Sequence, residues 1–340
     1  LTQETSTEVS VKKVVEILSK AKRPLIYGLS STDCGAISKP IEIAEVTGGV
    51  VDNTASVCHG PTILALQQVG ESQASLGEVM NRADYVVFWG ANPTDAHLRH
   101  ITRYSVTPKG MYVDGRKARN VVVVDIRKTG TARLADKFVQ IEPNRDYEVL
   151  QTLRALVRGE KIEVSEVGGV PMEELENLVE EMSSAKFGVV FFGLGLTQSD
   201  GRHMNIDAAV GLVAELNRKT KFVLTPMRVH YNVAGAYTVS TWQTGYPYAV
   251  DFSKGYPRYN PGEFTAVDLL ASGEVDAAII VASDPVATFP ADAAKHLAKI
   301  PVVTLDQKKT PTTMLSEVAI PVATAGVEAE GTTYRMDGVA

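Results

Sequence analysis

DIRKTGTARLAD, residues 125–136, returns in altered form as DQKKTPTTMLSE at residues 306–317; both fit D-x-(R/K)-K-T-x-T-x-x-L-(A/S)-(D/E). A repeat of this length at so wide a spacing marks a duplicated unit, and it has to be recognised before any motif is assigned. The surroundings repeat in the same order. ADYVVFWGANP precedes the first copy and VDAAIIVASDP the second, each an apolar run closing in Asn92-Pro93 or Asp284-Pro285. Further upstream, RPLIYGLSSTD answers FGVVFFGLGLTQ, each a strand-like run followed by G-L-x-x-T, at Gly28 and Gly193. One copy therefore extends over about residues 10–145 and the other over about 175–325.

Within the copies, short β-branched runs at 25–27, 85–89 and 121–124, and at 189–192, 277–281 and 302–305, alternate with helical stretches. In SVKKVVEILSKA and NIDAAVGLVAELNRKT the apolar residues recur three and four apart, as one helix face requires. Strands apolar on both faces and alternating with helices imply parallel sheets covered on both sides. The expected fold is α/β: two doubly wound parallel-sheet domains related by an internal pseudo-twofold repeat.

Ligands of such sheets bind at the carboxyl ends of the strands. Asp125 and Asp306 each follow a valine-rich strand directly. A carboxylate there can accept paired hydrogen bonds from ribose hydroxyls or from the N1–H and N2–H edge of guanine. A helix cap would explain either aspartate alone; their recurrence at matching places favours the ligand role. The turns at Asn92-Pro93 and Asp284-Pro285 would shape the same pockets.

The chain of 340 residues suits two domains of roughly 150 residues each. Its 44% hydrophobic and 22% charged residues are those of an ordinary globular protein, and its apolar runs are too short to span a bilayer. No secretory leader is visible, which makes the cytoplasm the default location. The net charge is −6 and no lysine or arginine stripe could follow a phosphate backbone, so nucleic acid is excluded as a partner. Opening at Leu1 and closing on TTYRMDGVA, the chain reads as a fragment of a longer protein. Its two cysteines, Cys34 and Cys58, cannot make a disulfide framework, a CxxC zinc site or a complete iron–sulfur site. A nicotinamide site is also excluded: in GLGLTQSDG the third glycine position is Gln198, and in GLSSTDCG the second is Ser30. Neither a Walker loop nor a Gly-x-Ser-x-Gly elbow occurs.

VVDNTASVCHGPT comes after the first G-L-x-x-T unit and FVLTPMRVHYNVAG after the second, and both are expected between the two halves. Cys58 stands 30 residues after Gly28, and Arg228 stands 35 after Gly193. Counting thus gives a thiol and a guanidinium near-equivalent positions, facing each other across the pseudosymmetry axis. A buried free cysteine is ordinarily a small inert side chain. His59 beside it can relay a proton or lower the thiol pKa, the Gly60-Pro61 turn lets backbone amides approach a ligand, and soft thiolate suits a soft or high-valent metal. Arg228 has no acid among its neighbours Met227, Val229 and Val233 and suits an anionic substrate. Cys34 is assigned to packing. His97 and His100 could ligate a metal on one helical face, but without a third ligand they are read as surface or pocket lining. TWQTGYPYAVDFSKGYPRY reads as a long structured loop.

These residues resemble the molybdopterin oxidoreductases of the dimethyl sulfoxide reductase and formate dehydrogenase type, over nearly the whole chain. SVCHGPT is similar to the segment whose Cys or selenocysteine ligates the metal and precedes the mechanistic His. MRVHYNVAGA is similar to the segment bearing the substrate-facing Arg. GANPTDAH, VDIRKTGTARLAD and EAEGTTYRMDG resemble the cofactor-binding loops. Within that group the resemblance is strongest to the catalytic B subunits of tungsten or molybdenum formylmethanofuran dehydrogenases.

The resemblance implies two molybdopterin guanine dinucleotides holding one tungsten or molybdenum, with Cys58 as the metal's protein ligand and His59 and Arg228 as its catalytic companions. Cofactor contacts would fall on Gly28, Asn53, Asn232, Asp284 and Asp306, and on Gly90, Asn92, Asp125, Arg127, Gly193 and Gly195. The domains would interleave: 1–55 with 230–340 binding one dinucleotide, and an inserted 56–229 binding the second. A [4Fe–4S] cluster is expected on an N-terminal segment of the full-length protein, its ligands having no counterpart here, and the pterin-capping domain on another subunit. The implied reaction is reversible reduction of carbon dioxide to formate. Formate would pass to an amidohydrolase-like subunit for condensation with methanofuran, and ferredoxin-like subunits would deliver electrons. The rival readings are a formate dehydrogenase proper and a non-redox scaffold subunit of a formyltransferase/hydrolase complex.

Overall fold

The valine- and isoleucine-rich runs form strands buried on both faces, and helices with one apolar stripe cover them. The computed structural model describes residues 4–340. In chain order the strands are β1 (Pro24–Gly28), β2 (Val50–Asn53), β3 (Tyr85–Trp89), β4 (Asn120–Asp125), β5 (Lys137–Gln140), β6 (Glu166–Val167), β7 (Val170–Pro171), β8 (Phe187–Phe192), β9 (Lys221–Pro226), β10 (Val250–Asp251), β11 (Arg258–Tyr259), β12 (Ala277–Val281), β13 (Val302–Asp306) and β14 (Val318–Pro321). All six runs read from the sequence are strands. The strands β2, β5, β9 and β14 are additional to them, as are the two-residue strands β6, β7, β10 and β11.

The chain divides into two units. The first takes the chain up to Val57 and again His230–Gly338; the second is Cys58–Val229. In the first unit the sheet order is β11-β10-β2-β1-β12-β13-β14, and in the second β5-β4-β3-β8-β9, with β6 and β7 a separate small hairpin. Every pairing among β2, β1, β12, β13 and β14 is parallel, as is every pairing in the second sheet.

These orders show how the repeat is used. Written from β2 and from β9, the sheets read β2-β1-β12-β13-β14 and β9-β8-β3-β4-β5. Each is therefore a pair of strands from one sequence copy joined to a triple from the other. The copies and the folded units do not coincide, although the topology of the two units does.

Each sheet has its own core. In the first unit Ile26, Val51, Ile279 and Val303 pack with Ile37 and Ile41 of the helix Cys34–Thr47. That helix starts where the Asp33 carboxylate accepts from Gly35 N–H and Ala36 N–H, and stops at Gly48, whose φ of 64° suits a residue without Cβ. In the second unit Val87, Val122, Val190 and Leu224 pack with the helices Asp146–Val157, Met172–Ser184 and His203–Leu216.

The expected long loop at TWQTGYPYAVDFSKGYPRY is more ordered than its composition suggests. Its start completes the helix Val233–Thr244, and the rest forms the β10–β11 ribbon, which pairs antiparallel with β2. Tyr246 stacks on Tyr259 with ring centroids 5.1 Å apart, and the buried Asp251 is held by Arg258. The ribbon thereby covers an edge that would otherwise be open.

Candidate functional site

The second sheet reverses its strand order between β3 and β8, which is where doubly wound sheets bind ligands. At their carboxyl ends lies a cavity of about 390 Å³, whose lining includes Gly90, Asn92, Asp125, Arg127, Asp146 and Gln198. Its floor depends on a close backbone approach. Gly90 has a φ of 52°, and a Cβ there would stand 2.8 Å from Gly195 Cα; a Cβ on Gly193 would stand 2.6 Å from the Gly90 carbonyl oxygen. Asp125 ends β4 and takes Arg127 N–H on its Oδ1 at 3.3 Å, leaving carboxylate capacity toward the cavity. Asp146 is buried and accepts from Trp89 Nε1 at 2.8 Å. Burial raises the pKa of both carboxyls above the ordinary aspartate value.

Next to this cavity stands the thiol. Cys58 is 5% exposed, in the turn that leads into the helix Gly60–Val69. Its carbonyl is held by Thr197 Oγ1 at 3.0 Å and by Gln198 Nε2 at 3.3 Å, so the Thr of G-L-x-x-T and a residue lining the cavity both fix the thiol's backbone. Burial pushes the thiol pKa up to about 11, against the pull of the Arg228 charge and of a hydrogen bond from Val229 N–H. Without a bound metal the group is a thiol. Coordination of a soft metal would release its proton.

His59 is fully buried and its ring is engaged on both sides. Nδ1 pairs with Thr62 Oγ1 at 3.0 Å, and Nε2 pairs with the Met227 carbonyl at 3.1 Å, which makes Nε2 the protonated nitrogen. Burial, reinforced by the Arg228 charge, lowers its pKa to about 3. The ring is neutral, and a proton relayed through it would first have to break one of these bonds. His97 grips the next carbonyl, that of Arg228, through Nε2 at 2.8 Å. Two imidazoles thus hold the consecutive carbonyls of Met227 and Arg228. Arg228 itself is 4% exposed.

The sequence assigns His97 to lining and offers Arg228 no nearby acid. The structure supplies one at long range. The field of Arg228 reaches Glu71, whose carboxyl burial pushes up to about 7 while that field pulls the other way. No local pattern around Gly70-Glu71-Ser72 signals this. The approach comes from a tertiary hydrogen bond, Leu224 N–H to the Ser72 carbonyl at 2.8 Å, along the outer edge of β9.

The remaining expected cofactor residues, Gly28, Asn53, Asn232, Asp284 and Asp306, lie in the first unit. Gly28, at φ 114°, lets its strand end lie against β12; a Cβ there would be 2.1 Å from the Val281 carbonyl oxygen. Asn232 has nothing left for a ligand. Its Oδ1 accepts from Gly235 N–H and Tyr334 N–H, and its Nδ2 donates to the Thr32 carbonyl and toward Cys34 Sγ. Asn53 is buried, donating to the Pro247 carbonyl and accepting from Ala55 N–H. Asn92 and Asp284 perform one structural task in the two units. Asn92 Oδ1 accepts from Thr131 N–H and Oγ1 at 3.2 and 2.7 Å, and Asp284 Oδ1 accepts from Thr312 N–H and Oγ1 at 3.1 and 2.6 Å. Asp306 Oδ1 accepts from Lys308 N–H at 2.9 Å, the counterpart of Asp125 with Arg127. Neither aspartate caps a helix.

The strand register also corrects the expected equivalence of Cys58 and Arg228. Thr54 N–H bonds to the Gly28 carbonyl as Met227 N–H bonds to the Phe192 carbonyl. From those points the chain takes the same number of steps to the residues that begin the next helices, His59 and Asn232. Cys58 therefore corresponds to Tyr231, and Arg228 to Ala55. Counting from the glycines misleads because the chain between those two hydrogen-bonded points is longer in the second unit, 35 residues from Phe192 to Met227 against 26 from Gly28 to Thr54.

No protein-family model matches the chain. It is 53% identical over 333 residues to the B subunit of the tungsten-containing formylmethanofuran dehydrogenase 2 of Methanocaldococcus jannaschii, covering 98% of this chain and 77% of that protein. Against the protein of the same name from Methanococcus maripaludis the identity is 52% over 337 residues, 99% of this chain and 77% of the relative. In fold it is similar to a chain in the crystal structure of the formyltransferase/hydrolase complex from Methylorubrum extorquens in complex with methylofuran. That match has a TM-score of 0.78 at 21% identity and covers 99% of this chain and 90% of the other.

Proposed function

Because the chain belongs to the family of formylmethanofuran dehydrogenase B subunits, an oxidoreductase family, we propose that it carries the site at which carbon dioxide and formate interconvert. The observation that bears most weight is a buried thiol, Cys58, with the buried guanidinium of Arg228 close enough to stabilise its anion.

The residues fit a tungsten or molybdenum held by two pterin guanine dinucleotides. Among the described residues no group of three or more His, Cys, Asp or Glu could hold a metal ion, and a cofactor that brings its own donors would need one soft protein ligand. Cys58 would be that ligand. The cavity of Asp125, Arg127 and Asp146, floored by Gly90 and Gly195, would receive one guanine nucleotide, with a carboxylate for the N1–H and N2–H edge. The first unit would receive the other beyond Gly28 and Asp306. When bound, the group supplies two-electron redox chemistry.

The chain's own residues would do the rest. Arg228 presents a fork to the two oxygens of a carboxylate. His59 and His97 keep the Arg228 backbone from moving, and we assign His59 this positioning task in place of the proton relay. Burial of Cys58 and Arg228 keeps water away from both. Formate would leave for an amidohydrolase-like partner, while a pterin-capping subunit, ferredoxin-like subunits and the [4Fe–4S] segment of the full-length protein complete a cytoplasmic complex. Among the described residues no helix is long and apolar enough to cross a membrane.

The test is the molar ratio of tungsten or molybdenum to acid-released guanine nucleotide in the complex purified anaerobically. One metal per two nucleotides supports the reading. A complex that assembles with neither would favour a scaffold role, the alternative that the likeness to the formyltransferase/hydrolase fold brings forward.

A further inference from the structure

Asp52, the penultimate residue of β2, is fully buried, and the hydrogen bonds it takes all come from neutral donors. Oδ1 accepts from Asn53 N–H at 2.9 Å and from Ala249 N–H at 3.1 Å; Oδ2 accepts from Ser56 Oγ at 2.7 Å and from Ala266 N–H at 2.8 Å. Donors on every side and no acceptor describe an ionised carboxylate. It ties together the entry to β10, where Ala249 stands at a φ of 50°, the start of the helix Ala266–Ser272, and the turn that leads to Cys58. A buried charge without a counterion is costly unless hydrogen bonds satisfy it fully.

The other unit shows that the fold does not require this arrangement. By the register that equates Thr54 with Met227, Asp52 corresponds to Thr225 and Ser56 to Val229. The Thr225 hydroxyl is buried without a partner among the described residues, and Val229, which is 51% exposed, has no side-chain donor to offer it. The second turn thus covers the same number of steps from strand to helix with no such strut. The strut belongs to the turn that ends on Cys58. Ser56 Oγ, with the Asn53 carbonyl also in reach at 3.0 Å, stands two residues before the thiol.

We propose that Asp52 is a positioning residue for the metal-binding thiol: through Ser56 its carboxylate fixes the turn 54–58, so that Cys58 is presented to the metal in one geometry. The inference rests on the reading of Cys58 as the metal's soft ligand. The physical argument is preorganisation. A hydrogen bond to an ionised oxygen is stronger than one between neutral groups, so the Ser56 hydroxyl is held more firmly than a turn's own backbone bonds would hold it. The carboxylate is itself anchored by Ala249 and Ala266, from segments far away in the chain, and cannot follow the turn if the turn shifts. Residues that orient a ligand in this way set the geometry and the electronic properties of the metal without touching it.

The experiment uses the intact complex with its metal and nucleotides bound. Ser56→Ala removes the hydroxyl that the carboxylate holds. Guanine nucleotide content should be unchanged, and the single electron paramagnetic resonance signal of the partly reduced metal should become heterogeneous. The kcat for formate oxidation should fall roughly 10- to 100-fold, with KM within about twofold of its natural value. Ser56→Thr keeps the hydroxyl and should restore both signal and kcat. Asp52→Asn sets a donor against converging donors and should give the same heterogeneity; where it fails to assemble, the two Ser56 variants still decide. Thr225→Val, at the equivalent step of the other turn, should leave signal and kcat as they are, and an altered signal there would make the effect a general one of the sheet and overturn the proposal. A natural signal and kcat in Ser56→Ala, even with a lowered melting temperature, overturns it too. Cys58→Ala separates the two levels. If it leaves the signal unchanged, the functional reading fails; if it alters the signal while Ser56→Ala does not, this inference alone fails.

Discussion

Two turns of equal length, 54–58 after β2 and 227–231 after β9, leave matching strands and lead into matching helices, yet carry different chemistry at different steps. The first is built of the uncharged residues Thr54, Ala55, Ser56 and Val57 until its last, the buried Cys58; the second has its buried Arg228 three steps earlier and ends on Tyr231, which is 48% exposed. The residues that begin the helices differ as well. His59 uses its ring to hold the Met227 carbonyl, whereas Asn232 uses its amide to fasten the loop at Thr32 and Tyr334. Duplication supplied one backbone device twice. The two reactive groups stand on it asymmetrically, the thiol and the guanidinium both belonging to the second unit.

The strongest way to break this comparison is to move the thiol. Cys58→Ala in the intact complex should abolish formate-dependent dye reduction while assembly persists, and adding Tyr231→Cys at the equivalent step should not restore it. Recovery in the double variant would mean that the turns are interchangeable. The glycines of G-L-x-x-T give a second contrast, read by calorimetric melting. Gly28→Ala combines a positive φ with a collision at 2.1 Å and should cost about 3–4 kcal/mol, against about 2 kcal/mol for Gly193→Ala, which has a negative φ and a 2.6 Å approach.

For Arg228→Lys, losing the fork should lower kcat/KM for formate roughly 10- to 100-fold, about 1.5–3 kcal/mol, with little change in melting. The last contrast lies between the paired threonines, and its Thr131 arm is the smallest effect of all. Thr312→Val removes a hydrogen bond to a carboxylate and should cost about 1.5–3 kcal/mol, while Thr131→Val removes one to an amide and should cost about 0.5–1.5 kcal/mol. Equal losses in melting would show that charge at Asp284 adds nothing to the shared loop.

Much of this arrangement is legible in the chain. The valine-rich runs had to be buried parallel strands because nothing polar interrupts them, and the DxxKTxT repeat announced two units of one topology. Cys58 with His59, and Arg228, stand out because each is a reactive group amid small or apolar neighbours. Register is less legible: the equivalence of Cys58 with Tyr231 depends on which carbonyl receives Thr54 and Met227, a choice made by sheet pairing. Nor could the sequence show that Asn232 is fully engaged or that the field of Arg228 reaches Glu71, since both depend on contacts between segments far apart in the chain. Composition is a poor guide at residues 241–259, where Gly, Pro and Tyr suggest a loop and the β10–β11 ribbon forms because the edge of β2 is there to receive it.

The exchange of strands between the copies also sets a timetable. The second unit is a circular permutation of the first, with its triple of strands made before its pair, so its sheet can close as soon as β9 has been synthesised. The first unit begins earlier and finishes later: Pro24 of β1 has Ala277 of β12 as its partner, and β14 ends at Pro321. At roughly 5–20 residues per second, β1 and β2 wait on the order of 10–50 s for β12, with little beyond the helix Cys34–Thr47 already made to pack on them. In that interval the second unit folds within a chain that is still open around it.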